Sequence, residues 1–220
     1  MMQPQRYNRV QEITWELKKK GVYNREPRMV YGFIKRCLEI IFSLLLLILT
    51  SPLILCIGIL VKLESPGPIF YRQERIGMGN KPFMILKIRS MQNDAEKKGP
   101  QWANQNDSRV TKIGAFIRKT RIDELPQLIN ILKGDMSIIG PRPERKVFID
   151  QFEKEIPDFQ MRILVKPGLT GWAQINGGYD VTPREKFELD MYYIENESFK
   201  LDILIFINTI KVVVTGSGAR

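Results

Sequence analysis

CLEIIFSLLLLILTSPLILCIGILV, residues 37–61, is the stretch from which the fold class follows. Seventeen of its 25 residues are Leu, Ile, Val or Phe, and Glu39, near its start, is its one charged residue. At roughly −0.3 to −0.6 kcal/mol each on the insertion scale, those apolar side chains contribute on the order of −5 to −10 kcal/mol. The segment therefore belongs in a bilayer. A straight helix of that length measures about 37 Å, against a hydrocarbon core of about 30 Å. Ser51-Pro52 lies near its middle, and proline removes a backbone donor and clashes with the preceding turn, so a bend is expected there. Lys35 and Arg36 precede the block, and Lys62, Arg72, Arg75, Lys81, Lys87 and Arg89 follow it. A spanning helix would place one of these basic flanks outside, against the positive-inside tendency. The expectation is a re-entrant helix broken at Ser51 and Pro52, with both ends cytoplasmic; a Pro-kinked spanning helix is the alternative.

Outside this block the chain is polar and basic. Thirty-four Lys and Arg against 24 Asp and Glu leave a formal charge of +10. Such a balance points to nucleic acid, anionic lipid or phosphorylated substrates, without choosing among them. Residues 1–36, with nine Lys or Arg, read as a basic arm, in which 10–20 is either a surface helix or a solvated stretch. The arm is too long and too charged for a signal-peptide n-region, and no small-residue cleavage site follows the block. The chain contains no histidine, which excludes a Ser-His-Asp triad, a His general base and a His-rich zinc site. Cys37 and Cys56 are read as small buried hydrophobes rather than a disulfide. Acid, base or nucleophile work falls to carboxylates, Lys, Tyr, Ser or Thr.

Downstream, residues 69–76 and 83–88 are strand-like, and Gly77-Met78-Gly79-Asn80 supplies turn chemistry for a hairpin. Val110, Ile113, Phe116 and Ile117 recur at helical spacing; Ile122, Leu125, Leu128, Ile129 and Leu132 do so again and close at Lys133-Gly134. Residues 185–195 look helical, and 199–214, punctuated by Lys200, Asp202, Asn208 and Lys211, suits an interfacial or core helix better than a span.

Asp123-Glu124-Leu125-Pro126 is the most suggestive cluster. Asp caps helices well and proline is tolerated in a first turn, so the acidic pair is expected at a helix start, where the dipole favours negative charge. An ionised Asp123 among phosphate-holding cations would be able to attack phosphorus and form an acyl phosphate. Magnesium, which binds one or two carboxylates plus substrate phosphates, is the natural companion. By spacing alone, a helix cap beside a second acid is the commoner explanation. Arg142, held between Pro141 and Pro143, suits bidentate recognition of phosphate or a base edge, and equally a rigid connector. Lys87 and Arg89 are candidates for a basic lining, and Asp190 for a further acid, though each alone would pass as surface.

Taken in order, Ser51-Pro52, Leu86-Lys87-Ile88-Arg89-Ser90-Met91 and Asn106-Asp107-Ser108-Arg109-Val110-Thr111-Lys112-Ile113-Gly114 resemble the bacterial sugar transferases, the monotopic phosphoglycosyl transferases. The resemblance continues through Arg118-Lys119-Thr120, Asp123-Glu124-Leu125-Pro126-Gln127-Leu128 and Gly140-Pro141-Arg142-Pro143. It ends with Lys166-Pro167-Gly168-Leu169-Thr170-Gly171-Trp172-Ala173-Gln174 and Leu189-Asp190-Met191-Tyr192-Tyr193. It implies transfer of a sugar 1-phosphate from a UDP-sugar to polyprenyl phosphate with release of UMP, magnesium-dependent and in two steps, at the start of cell-surface glycan or glycoconjugate assembly. By motif position Asp123 would be the nucleophile and Glu124 its dyad partner. Asp123 or a neighbouring carboxylate such as Glu124 would ligate the metal. Arg142 would contact the nucleotide, while Lys87, Arg118 and Asp190 would lie around the phosphates. Arg121 stands where a small residue is commoner, with a local effect expected.

The fold class expected is α+β and α-rich: a re-entrant membrane helix at 37–61, interfacial amphipathic helices and a small β-hairpin. Residues 62–220 would form a catalytic domain at the cytoplasmic face of a bacterial cytoplasmic membrane, one functional unit with the helix. The expected partners are the UDP-sugar, the polyprenyl phosphate and the bilayer, with no nucleic acid; a homo-oligomer is left open. The rival is a membrane-anchored basic module that binds anionic lipid or nucleic acid without chemistry. Residues do not reveal which sugar is carried, a choice expected to lie in loops 99–107 and 177–184.

Overall fold

Proline at position 52 leaves the carbonyl of Ile48 without its helical donor. Ser51 supplies the replacement: its Oγ donates to Ile48 O at 2.9 Å, while Thr50 Oγ1 donates to Leu46 O at 2.7 Å. With that carbonyl satisfied, helix α1 continues through the Ser-Pro pair and runs Met29–Glu64, 36 residues or roughly 54 Å along the path. The structure, a computed structural model, describes residues 29–97, 99, 107–177 and 181–215. Residues 1–28, with the expected arm and its 10–20 stretch, lie outside them, as does most of loop 99–107.

Helix α1 is inside-out compared with a helix of a water-soluble core. Leu38, Ile41, Leu45, Leu49, Leu55 and Leu63 are exposed, whereas Glu39 and Ser43 are buried. Cys37 and Cys56 are free and exposed on it, which corrects the expectation of buried thiols: the apolar side of this helix faces outward. Its polar stripe faces the rest of the protein. Glu39 accepts from Ser137 Oγ and from Ile138 N, the latter at 3.1 Å, so the one charge of the apolar block is matched rather than stranded. Arg36 donates to Ile131 O and Leu132 O at 2.6 and 2.9 Å, and Lys35 reaches Ile139 O, Tyr193 OH and Asp202.

The hairpin forms as expected: β1, Phe70–Ile76, pairs antiparallel with β2, Pro82–Ile88, placing Tyr71 opposite Lys87. Its turn uses left-handed Gly79 and Asn80, at φ 68° and 60°. Helix α2, Lys112–Lys119, is capped by Thr111 Oγ1, which accepts from Gly114 N at 2.9 Å. A Cβ on Gly114 would stand 1.9 Å from Ser90 O, so this close approach requires glycine. A 3-10 turn, Ile122–Glu124, leads to α3, Gln127–Lys133, which ends at left-handed Gly134. Strand β3, Ser137–Ile139, pairs in parallel with β4, Gly168–Thr170. Helix α4, Lys146–Phe152, a 3-10 run, Phe159–Leu164, and helix α5, Trp172–Asn176, complete the middle of the body. Helix α6, Pro183–Asn196, opens with a Thr182–Glu185 capping box. Helix α7, Phe199–Thr215, buries Leu201, Asp202 and Ile205 and exposes Ile203, Ile207, Ile210 and Val214.

Both halves of α1 pack on this same body. Leu46 and Leu47 join the cluster of Phe83, Ile85, Leu128 and Ile131; Ile57 and Val61 join Ile88 and Ile117. Arg89 turns away from any basic lining. It is buried and donates to Ser65 O at 2.7 Å and to Pro66 O, closing the C-terminal end of α1. That is a correction to the sequence expectation, which had no signal for a carbonyl-rich helix end beside the strand.

Candidate active site

The acidic pair is presented by a backbone turn rather than by a helix end. Arg121 adopts a left-handed conformation, φ 59°, and the chain enters the 3-10 turn Ile122–Glu124 directly after it. A residue with a side chain, as here, is strained in that conformation. The expected cap is absent: Pro126 occupies the N-cap position of α3, with no side-chain capping bond. Ile117 and Leu128, both fully buried, anchor the chain before and after the turn and hold the two acids against β2.

Glu124 is fixed by two cations. Lys87, from β2, donates Nζ to Glu124 Oε1 at 2.8 Å, and Arg142 donates Nη2 to the same oxygen. Burial alone would raise the Glu124 carboxyl, but Arg142 and Lys87 outweigh it and hold the group well below the usual carboxylate range. Burial depresses Lys87, with Glu124 pulling the other way, whereas Arg142 is raised by Glu124. Asp123, 6% exposed, is different. Burial first, and then the charge of Glu124, push it up to about 6, against the pull of Lys87, Arg142 and Arg118. Among the described residues no hydrogen bond reaches its carboxylate. At neutral pH it is an ionised, uncommitted carboxylate with cations on its flanks.

The donor set bears on a metal. Among the described residues no group of three or more carboxylates or thiolates gathers into a ready-made cage. Magnesium does not need one, since one or two carboxylates, substrate phosphates and waters complete its shell. Asp123 fits that requirement; Glu124, whose Oε1 already faces two cations, fits it less well.

Of the residues singled out from sequence, Asp123, Glu124, Lys87 and Arg142 converge, and Arg118 acts on Asp123 through its charge. Asp190 stands apart, 1% exposed and paired with Arg162, whose Nε lies 2.7 Å from Asp190 Oδ2. Arg162 and Glu144, both buried, form with half-buried Arg75 and Lys186 a second charged cluster behind Arg142. Sequence reasoning missed all four, because isolated charges at those spacings carry no pattern.

The family model for bacterial sugar transferases matches residues 30–216, nearly all of the described body. The chain belongs to that family. It is 51% identical over 197 residues to the UDP-N-acetylgalactosamine-undecaprenyl-phosphate N-acetylgalactosaminephosphotransferase of Aeromonas hydrophila, covering 88% of this chain and 47% of that one. Over 133 residues it is 59% identical to a putative undecaprenyl-phosphate N-acetylgalactosaminyl 1-phosphate transferase of Bacillus subtilis (strain 168), covering 60% of this chain and 74% of that one. Identity is 45% over 194 residues to the UDP-glucose:undecaprenyl-phosphate glucose-1-phosphate transferase of Escherichia coli (strain K12), covering 86% and 42%. The chain thus spans less than half of the Aeromonas and Escherichia proteins and about three-quarters of the Bacillus one.

Proposed function

We propose that this protein transfers a sugar 1-phosphate from a UDP-sugar to polyprenyl (undecaprenyl) phosphate through a covalent intermediate on Asp123, and so initiates a cell-surface glycan or glycoconjugate. The observation that carries the reading is the contrast within the acidic pair: Glu124 is locked between Lys87 and Arg142, while its buried neighbour Asp123 takes no hydrogen bond among the described residues and lies within the field of Lys87, Arg142 and Arg118. In the first step an Asp123 oxygen attacks the phosphorus that carries the sugar. The bond from that phosphorus to the bridging oxygen breaks, and UMP leaves with the oxygen and the electron pair. In the second step a phosphate oxygen of the lipid attacks the same phosphorus, the acyl–phosphate bond breaks, and Asp123 returns as a carboxylate. Neither step requires a net proton transfer, which suits a chain without histidine. Lys87 and Arg142, held by Glu124, place positive charge where the diphosphate accumulates negative charge. Asp123 would hold magnesium, which when bound neutralises part of the diphosphate charge.

The membrane reading is part of the proposal. Helix α1, which stays helical through Ser51-Pro52 rather than breaking there, would bend at that pair inside the bilayer so that both ends and the site lie at the cytoplasmic surface of the cytoplasmic membrane. The packing of both halves of α1 on one body favours this over a span. The exposed apolar side chains of α7 would lie in the same interface. A non-catalytic basic anchor would leave the buried Asp123–Glu124 pair unexplained.

The test is UMP release from a panel of UDP-sugars by purified protein with magnesium and polyprenyl phosphate. UDP-N-acetylgalactosamine comes first, because the relatives at 51% and 59% identity carry that sugar in their names and a glucose-named one stands at 45%. Release that depends on the lipid for turnover and disappears in Asp123→Asn supports the reading. Undiminished release by Asp123→Asn would overturn it.

A further inference from the structure

Four consecutive carbonyls of the loop that carries Arg142 are all held, by donors from three separate segments: β1, the 3-10 run Phe159–Leu164 and β4. Pro141 O accepts from Gly168 N at 2.9 Å and Glu144 O from Ile76 N at 2.9 Å. Between them, Arg142 O accepts from Arg162 Nη2 at 2.8 Å, and Pro143 O from Arg75 Nη1 at 3.2 Å. Pro141 and Pro143 also fix φ on both sides of Arg142. The backbone origin of the Arg142 side chain is therefore set before any substrate arrives.

Two of those four donors are guanidinium groups, and each is itself held by a carboxylate. Arg162 donates Nε to Asp190 at 2.7 Å, with side chains 6% and 1% exposed. Arg75 meets Glu144 at 3.4 Å, and Lys186 pairs with the other oxygen of Glu144. Lys186 and Asp190 stand one turn apart on α6, so this helix offers the loop one cation and one anion from a single face. A guanidinium is a rigid planar fork: once Asp190 fixes Nε, the direction of Nη2 is fixed as well. A lysine ammonium at position 162 could still pair with Asp190, but as a point charge without a fixed fork it would not set the direction of the second bond.

We propose that Asp190 and Arg162 are positioning residues for Arg142. Asp190 orients the Arg162 guanidinium, which pins the Arg142 peptide so that the Arg142 side chain meets Glu124 and the incoming diphosphate. Asp190, sealed from solvent and carrying the same charge sign as the phosphates, acts through Arg162 and does not touch substrate. This inference rests on the transfer reaction proposed above.

The test is a double-mutant cycle on sugar-phosphate transfer to radiolabelled polyprenyl phosphate, with Arg162→Lys measured in the wild-type and Arg142→Ala backgrounds. The expected result is a loss of about tenfold or more in kcat/KM for the UDP-sugar in the first background, and less than about twofold in the second. The midpoint of thermal unfolding should be nearly unchanged. Asp190→Asn, which removes the charge that orients Arg162 and leaves a weaker acceptor, should repeat the split between the two backgrounds. It should lower the unfolding midpoint, because Arg162 stays buried without its counter-charge, and it carries the cycle if Arg162→Lys does not fold. Equal losses in both backgrounds, or no loss in the first, would overturn the positioning role while leaving the reaction intact. A wild-type protein that transfers nothing from any donor would instead sink the reaction, and this inference with it.

Discussion

Asp123 and Glu124 are adjacent in sequence, yet their surroundings drive their proton affinities apart, and the division of labour follows from that separation. In the proposed reaction Asp123 must be ionised to attack. The single-turnover rate of UMP release should therefore rise tenfold per pH unit below about 6 and level off above it; a flat profile between pH 4.5 and 8 would remove Asp123 from the chemistry. The same shift has a stability consequence. The folded-state pKa of about 6 lies above the unfolded value, so the folded state binds the proton more tightly. The stability that Asp123 contributes is fully present below its unfolded pKa, and is lost as pH rises through the interval between the two. Asp123→Asn removes that loss. At neutral pH the variant should be more stable by something on the order of 2–3 kcal/mol, with the gain fading towards pH 4, as thermal unfolding midpoints would show. Glu124→Gln works the other way: it leaves the half-buried Lys87 and Arg142 side by side without their carboxylate. A cost of about 1–3 kcal/mol is expected for the lost charge-assisted bonds, with loss of transfer, and denaturant unfolding would register it.

At the level of elements, periodicity was a good guide where burial follows period. The hairpin, α2, α6 and α7 could all be read from apolar spacing and turn residues, because β2 and each of these helices bury one side while β1 is set by the turn and its pairing. The acidic turn could not. Asp123-Glu124-Leu125-Pro126 carries good capping residues, but the attraction of Lys87 and Arg142 outweighs local capping and Asp123 does not cap α3. Long-range charge pairing leaves no trace in spacing, which is also why Arg162, Glu144 and the structural use of Arg89 were invisible. In α1, Glu39 reads as an isolated blemish in an apolar block, whereas it ties the helix to β3 through Ser137 and Ile138. Glu39→Leu makes the segment more apolar and should nonetheless lower stability, by about 1–3 kcal/mol for the orphaned donors. An unfolding midpoint that rises would show that the tie is unimportant.

Over the whole molecule, one long helix with an exposed apolar side is attached by both halves to a body whose charged site lies beside β2. On the proposed reaction, a water-soluble nucleotide-sugar and a lipid acceptor would use one site in turn, with Asp123 carrying the sugar phosphate between them. If α1 returns at Ser51-Pro52, an N-terminal tag in sealed, right-side-out vesicles stays protected from added protease until the membrane is permeabilised; cleavage in intact vesicles would sink the re-entrant path. The covalent carrier itself is tested most directly by the intact mass of the protein after incubation with UDP-sugar and magnesium in the absence of lipid acceptor. The account predicts an added mass of one sugar phosphate, located on the peptide containing Asp123, lost on adding polyprenyl phosphate and absent in Asp123→Asn. Protein that turns over with the acceptor present, yet never gains that mass without it, would contradict a covalent step and point to direct transfer.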